Sequence, residues 1–196
     1  MKNSMLEFRL HGRGGQGIVV AAAIFAEAVF LEGYYARAFS LFGAERRGAP
    51  VTAFIRVSQD RLMPRSRIYQ PDYVVVLDPT LTGSPLIAGL KEKGTLLINA
   101  GDRWDGNLSG EALTETFFRI VTVDATEIAW KYKLAIGSFP MVNTVILGAM
   151  AKISGLTSVD NLIVAIKKRV TTSIDANIKA AVEGYESVKE VNILVT

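Results

Sequence analysis

The densest chemical signal in this chain is the hexapeptide Gly12-Arg13-Gly14-Gly15-Gln16-Gly17. Its G-x-G-x-x-G spacing suits a loop whose backbone N–H groups approach a phosphate, with side chains missing where the chain turns and where the next helix begins. The helix N-terminus adds unpaired donors and partial positive charge. The same spacing also arises in glycine-rich turns that bind nothing, so its context decides. Here it stands between a strand-like run and an apolar helical run, which is the setting the chemistry needs. A second candidate is Arg46-Arg47, inside Phe42-Gly43-Ala44-Glu45-Arg46-Arg47-Gly48-Ala49. Two guanidinium groups on a glycine-containing loop can clamp a phosphate bidentately, although such a pair is as often only solvated.

For a nicotinamide dinucleotide, an acidic residue should close the second strand, about 20 residues past the loop, and bind the ribose hydroxyls. Phe39-Ser40-Leu41 occupies that place. Glu32 and Glu45 are the nearest carboxylates, and Arg46 and Arg47 could read a 2′-phosphate. The nicotinamide reading is weakened but stays open.

Several elements must position these residues. Leu6, Phe8 and Leu10 alternate with Glu7 and Arg9, which predicts a strand ending at His11-Gly12. Gly17 to Glu32 is apolar on most faces, as in a helix packed inside a molecule, and Gly33 closes it. Strands are predicted over Tyr34–Leu41 and Pro50–Ser58. Tyr73–Leu77 is a continuous β-branched run of the kind buried on both faces of a sheet. Pro85–Lys93 fits a short helix, Thr95–Asn99 and Phe118–Val123 fit strands, and after Asp124 the pattern becomes helical over 125–134, 140–154, 158–170 and 174–190. Thr157 and Asp160 are spaced as a capping box before the third of these helices. No linker, repeat or low-complexity block interrupts the chain. The expected fold is therefore α/β: a three-layer Rossmann-like sheet with helices on both faces and a helical C-terminal part from about residue 125, all in one domain over 1–196.

Composition removes other chemistries. With no cysteine and one histidine, the chain cannot ligate an iron–sulfur cluster, build a zinc ribbon or offer a thiol nucleophile. Lysine plus arginine total 22 against 19 aspartate plus glutamate, a net charge of +3. That balance suits a small anionic ligand better than a nucleic acid. The most apolar run, Ile18 to Leu31, contains Glu27 and falls short of the about 20 residues a membrane span needs. With no secretory leader pattern at Met1-Lys2-Asn3-Ser4, a cytoplasmic location is expected. The other polar candidates have structural explanations at hand. His11 at the loop mouth can be satisfied by a backbone carbonyl, Asp78 and Asp124 can cap the helices that follow them, and Asp102 and Asp105 fit a turn. Lys167-Lys168-Arg169 complements a helix C-terminus. Ile146, Leu147 and Met150 read as core or subunit contact.

Taken together, the glycine loop and Glu45-Arg46-Arg47-Gly48-Ala49-Pro50-Val51 resemble the gamma subunit of the 2-oxoacid:ferredoxin oxidoreductases, the pyruvate synthase family. Asp72-Tyr73-Val74-Val75-Val76-Leu77-Asp78, Val123-Asp124-Ala125-Thr126 and Asn143-Thr144 with Leu147-Gly148-Ala149 follow in the family's order, so the resemblance covers nearly the whole chain. It implies a subunit of an enzyme that oxidatively decarboxylates a 2-oxoacid, most simply pyruvate, with coenzyme A to acyl-CoA, carbon dioxide and reduced ferredoxin. Alpha, beta and ferredoxin-like delta subunits would be its partners, with thiamine diphosphate, Mg2+ and [4Fe-4S] clusters held by those chains. Carried over residue by residue, the resemblance gives this chain coenzyme A. Gly12, Gly14, Gly15 and Gly17, with Arg13 and Gln16 between them, would form the phosphate loop. Arg46 and Arg47, followed by Gly48, would pair with phosphate charge, and Asn143 would offer an amide hydrogen bond. Many family members have a second glycine where this chain has Ala49, and the Gly48-Ala49-Pro50 version resembles pyruvate-type enzymes. A stand-alone NAD(P)- or flavin-dependent enzyme and a purely structural subunit are the competing readings.

Overall fold

The computed structural model describes residues 5–41, 48–61, 64, 66–81, 86–101, 104, 107–108, 111–112 and 118–191. The chain runs β1 (Leu6–Arg13), α1 (Ile18–Leu31), β2 (Tyr35–Leu41), β3 (Pro50–Ser58), β4 (Tyr73–Val76), β5 (Thr95–Asn99), β6 (Asn107–Leu108), β7 (Glu111–Ala112), β8 (Arg119–Val123) and α2 (Ala125–Lys131). It continues with β9 (Ala135–Ile136), β10 (Phe139–Pro140), α3 (Asn143–Ser154), α4 (Val159–Arg169), α5 (Ile174–Glu186) and β11 (Lys189–Val191). A seven-stranded mixed sheet in the order β11-β8-β5-β4-β1-β3-β2 forms the frame. Strands β1, β4, β5 and β8 are parallel, while β3, β2 and β11 each run antiparallel to the strand they pair with.

Alternation along the strands sorts side chains between the two faces. Phe8, Leu10, Ala53, Ile55, Val75, Leu77, Leu97, Val121 and Val123 join residues from all five helices in one buried cluster. Val74, Val76, Leu96, Ile98 and Ile120 form the second cluster on the opposite face. The α/β architecture is as expected, but among the described residues the second face is covered by turns rather than helix. The helix expected over 85–93 is replaced by turns from Leu86 onward. Gly89 takes φ +73, and a Cβ there would lie 2.2 Å from the Tyr69 carbonyl oxygen. Arg9 also takes the Leu86 and Ala88 carbonyls, at 2.9 and 2.7 Å, that a helix would need for its own ladder.

A second feature concerns β2, which a simple β-α-β unit would place beside β1. Strand β3 lies there instead, with Leu10 opposite Ala53 and Phe39 opposite Phe54. Ala53, Phe54 and Ile55 are fully buried, whereas β2 is half-exposed, so the more apolar strand of the pair takes the inner position. Helix α1 buries Ile18, Ala21, Ala22, Ile24, Phe25, Ala28 and Val29. Its other side leaves Val19, Val20, Phe30 and Leu31 exposed, so it is less enclosed than its composition suggested. Each large side chain it buries contributes roughly 1.5–3 kcal/mol.

The C-terminal helices are held by backbone proximity. Gly148 on α3 and Gly184 on α5 face one another's helices, and added Cβ atoms would fall 1.8 Å from the Ala181 carbonyl oxygen and 2.3 Å from that of Val145. Beyond α5, which ends at Glu186 with Ser187 as its C-cap, residues 189–191 leave the expected helix and pair with β8 as an edge strand, fastened by Arg119 to Glu190 at 3.0 Å. Ser158 caps α4 through Asn161, one residue later than the Thr157–Asp160 box implied. Thr157 instead donates to Glu32 at the end of α1.

Candidate functional site

Strand β1 delivers the glycine loop to the carboxyl edge of the parallel strands, between β4 and the antiparallel pair. Connections leave in opposite directions there, which is where open α/β sheets bind ligands. Gly15 and Gly17 take φ +97 and +74, and Gly17 is the N-cap of α1, which no side chain caps. A Cβ on Gly12 would meet Gln16 Oε1 at 3.0 Å and Leu77 Cβ at 3.3 Å, so this glycine lets the loop fold back on the end of β4. On Gly17 it would lie 2.5 Å from Asn143 Nδ2. The structure thus brings Asn143, distant in sequence, against the last glycine of the motif.

The Gly48–Ala49 segment also reaches the loop. Gly14 donates its N–H to Ala49 at 2.8 Å, and Gly48 donates to Gly14 at 2.9 Å. Arg46 and Arg47 lie outside the described residues, as do Asp102 and Asp105. Arg13 and Gln16 turn inward rather than outward. Arg13 Nε and Gln16 Nε2 both donate to Asp78 Oδ2, at 2.9 and 3.1 Å, and the Arg13 N–H donates to Gln16 Oε1 at 2.7 Å. Asp78, expected to cap a helix, closes this network and a turn through Thr80 instead. Asp124 does cap, accepting from Glu127 N–H at the start of α2.

His11 is 6% exposed, and its Nε2 accepts from Arg9 Nε at 3.0 Å rather than pairing with a carbonyl. Burial, reinforced by Arg9 and Arg67, pushes its pKa down to about 3. It is a neutral acceptor at pH 7, bound into the wall behind the loop. Glu32, the nearest candidate for reading a ribose, accepts from Ser158 N–H and Oγ at 2.7 and 2.8 Å. Those bonds hold its carboxyl below the usual range and tie it to the far end of α1. Glu45, the other candidate, lies outside the described residues; among those described, the strand end carries no acid for the nicotinamide reading.

Two hollows flank the sheet edge. The larger, about 700 Å³, lies at the ends of β5 and β8 among Trp104, Asp124, Lys131 and Glu183. Two of its charges are committed to each other, since Glu183 accepts from Lys131 at 2.7 Å and also from the Tyr132 hydroxyl at 2.7 Å. The smaller, about 280 Å³, is lined by Gly17, Asn143, Ile136, Arg169, Thr172 and Ser173, among others. Asn143 is 6% exposed, and its amide forms no hydrogen bond among the described residues; because no side-chain N or O there is both fully buried and unpartnered, that amide opens to the cavity. An amide so placed is free to bond whatever occupies the cavity, whether water or a ligand. The chemistry therefore favours the smaller hollow, where the uncapped start of α1 and an idle amide share one cavity.

The model of the pyruvate ferredoxin/flavodoxin oxidoreductase family matches residues 7–187. The chain belongs to that family. It is 46% identical over 184 residues to the pyruvate/ketoisovalerate oxidoreductases common subunit gamma of Pyrococcus furiosus, covering 93% of this chain and 96% of that one. It is also 46% identical over 187 residues to pyruvate synthase subunit PorC of Methanothermobacter marburgensis, covering 94% and 98%. The crystal structure of pyruvate oxidoreductase subunit PORC from Thermotoga maritima superposes with a TM-score of 0.80 at 34% identity, over 97% of this chain and 100% of that one. As a gamma-type member of the pyruvate ferredoxin/flavodoxin oxidoreductase family, the chain is a subunit of an oxidoreductase complex.

The relatives named above match almost end to end. Among the described residues, no three His, Asp or Glu side chains gather as a metal site, and no helix is long and apolar enough to cross a membrane. Sequence reasoning missed the inward turn of Arg13 and Gln16, and the part of the cavity wall built from Ile136 and Thr172–Ser173. The first had a signal in Asp78, the residue that follows the β-branched run. The second had none, because it depends on how α4 and α5 meet.

Proposed function

We propose that this chain is the coenzyme A-binding gamma subunit of a multisubunit 2-oxoacid:ferredoxin oxidoreductase. The complete enzyme would cleave the 2-oxoacid carboxylate as carbon dioxide, pass two electrons to ferredoxin and transfer the acyl group to the CoA thiol. Pyruvate is the substrate favoured by Gly48-Ala49-Pro50. The observation that carries the CoA assignment is the cavity where the uncapped N-terminus of α1 meets the unpartnered Asn143 amide. Gly15 and Gly17 leave backbone free to approach a phosphate there, and Arg46-Arg47 adds cationic charge on the segment that joins the loop through Gly48. At about 280 Å³ the cavity sits at the small end of ligand pockets, so it suits one diphosphate-sized part of CoA, with the remainder crossing other surfaces.

Thiamine diphosphate with Mg2+ and the [4Fe-4S] clusters are assigned to alpha, beta and delta partners. The donor set agrees, because a chain without cysteine and with one buried histidine offers no ligands for a cluster. A Pyrococcus furiosus relative is named as common to pyruvate and ketoisovalerate enzymes. That name supports leaving the choice of 2-oxoacid to the partner chains.

The test uses the assembled enzyme and CoA-dependent viologen reduction. Replacing Arg46 and Arg47 by alanine removes charge-assisted phosphate contacts of about 1.5–3 kcal/mol, so the KM for CoA rises about tenfold to hundredfold. The KM for the 2-oxoacid stays in place. An unchanged KM for CoA sinks the assignment and leaves a structural subunit.

A further inference from the structure

The carboxylate of Asp78 stands at the end of β4 directly opposite the glycine loop, in the crevice where a ligand's phosphates would be drawn, yet it carries the wrong charge for them. It is also saturated. Its Oδ2 accepts from Arg13 Nε at 2.9 Å and Gln16 Nε2 at 3.1 Å, and its Oδ1 accepts from Thr80 N–H at 3.0 Å and Thr80 Oγ1 at 2.5 Å. Four bonds to one carboxylate leave it no free lone pair for acid–base work or metal binding.

The groups it holds reach further. Arg13 donates through Nη1 to the Gly48 carbonyl and through Nη2 to the Thr80 carbonyl and hydroxyl, each at 3.2 Å. Gln16 Oε1 accepts the Arg13 N–H and packs against Gly12. The loop of β1, the Gly48–Ala49 segment and the turn after β4 are thereby tied through one carboxylate.

We propose that Asp78 is a positioning residue for CoA binding, acting through Arg13 and Gln16 to hold the glycine loop in its ligand-ready shape. Arg13 and Gln16, although inside the motif, then serve the loop's shape, and the donors left for the ligand are backbone N–H groups and Asn143. This inference rests on the CoA reading above and assigns the interior of the motif within it. Positioning and plain electrostatics predict opposite signs. As a negative charge near an anion, Asp78 would weaken CoA binding, and its neutralisation would lower the KM for CoA. As a positioning residue, its loss raises it.

The deciding variant is Asp78→Asn in the assembled enzyme. Whichever way the new amide lies, its NH2 group faces N–H donors, either from Arg13 and Gln16 or from Thr80, so the knot cannot close. The expected result is a KM for CoA raised about tenfold, with kcat at saturating CoA and the KM for the 2-oxoacid within about twofold of the parent. Arg13→Lys keeps a cation opposite Asp78 but cannot span Gly48 and Thr80, and it moves the same parameter. It decides the question if the Asp78 variant assembles poorly. The double variant raises the KM by less than the product of the two single effects, because both break one linkage. A lowered or unchanged KM for CoA in Asp78→Asn and Arg13→Lys, beside a raised one in Arg46→Ala/Arg47→Ala, overturns the positioning role and leaves the CoA reading standing. If none of these variants moves the KM for CoA, the CoA reading itself fails and takes this inference with it.

Discussion

Placing alanine at Gly17 tests the junction between the glycine loop and α3 on two counts that can be measured separately. The first is backbone strain: Gly17 takes φ +74, which costs an L-residue about 1–2 kcal/mol. The second is collision, because the new Cβ lies 2.5 Å from Asn143 Nδ2, about 0.9 Å inside ordinary contact. Overpacking of that kind costs about 1–3 kcal/mol. Together the two effects destabilise Gly17→Ala by about 2–5 kcal/mol. Truncating Asn143 to alanine removes the colliding amide and leaves the strain. Asn143→Ala should therefore stabilise the Gly17→Ala chain by about 1–3 kcal/mol, while giving no such gain in the parent. Urea unfolding of the four chains, followed by far-UV circular dichroism, reads both quantities. Equal effects of Asn143→Ala in the two backgrounds would mean that the loop and α3 do not meet as described, and the cavity argument would fall with that contact.

Acid should weaken the fold through His11. Its folded pKa of about 3 lies below the unfolded value near 6.5, so its stabilising contribution is complete above 6.5 and is lost as pH falls through that window. The loss approaches about 1.4 kcal/mol per pH unit, and urea midpoints at pH 7, 6 and 5 should fall in the parent but much less in His11→Gln. A parent midpoint that is flat between pH 7 and 5 rules out the buried neutral imidazole. Gly148→Ala should cost at least about 3 kcal/mol, because its Cβ would enter the Ala181 carbonyl of α5 and no side chain there can yield. Retention of the parental melting temperature would contradict the α3–α5 crossing.

Local chemistry announced itself in the sequence where it depended on neighbours in the chain. Leu6, Phe8 and Leu10 marked β1, Pro50–Ser58 and Thr95–Asn99 matched β3 and β5, and Asp124 capped α2 as its position suggested. What failed to show was decided by distant partners. The placing of β3 between β1 and β2 follows from which strand could be wholly buried, a comparison no single segment contains. The turns after Leu86 owe their form to Arg9, far back in β1, and the short β9–β10 hairpin turns at Gly137 with φ +63. At the candidate site, the last glycine of the loop and Asn143, which the resemblance had grouped, lie side by side. The inward turn of Arg13 onto Asp78 did not show, because a charged residue in a phosphate-type loop reads as a ligand contact until its carboxylate partner is seen.

The division of the sheet into a helix-covered face and a turn-covered face gives the molecule two regions of unequal mechanical character. Over one face, α1, α3 and α5 interlock through buried aliphatic side chains and close glycine contacts, so their central amides should exchange with deuterium only when the whole chain unfolds. Over the other, much of the fastening is directional: Arg9 grips Leu86 and Ala88, and Arg56 grips Pro64 and Ser66 at 2.8 and 2.6 Å. A few guanidinium links can release together without disturbing the apolar core. The turn layer is thus the part of the subunit free to accept insertions and to breathe, while the strand bearing the glycine loop stays anchored from behind.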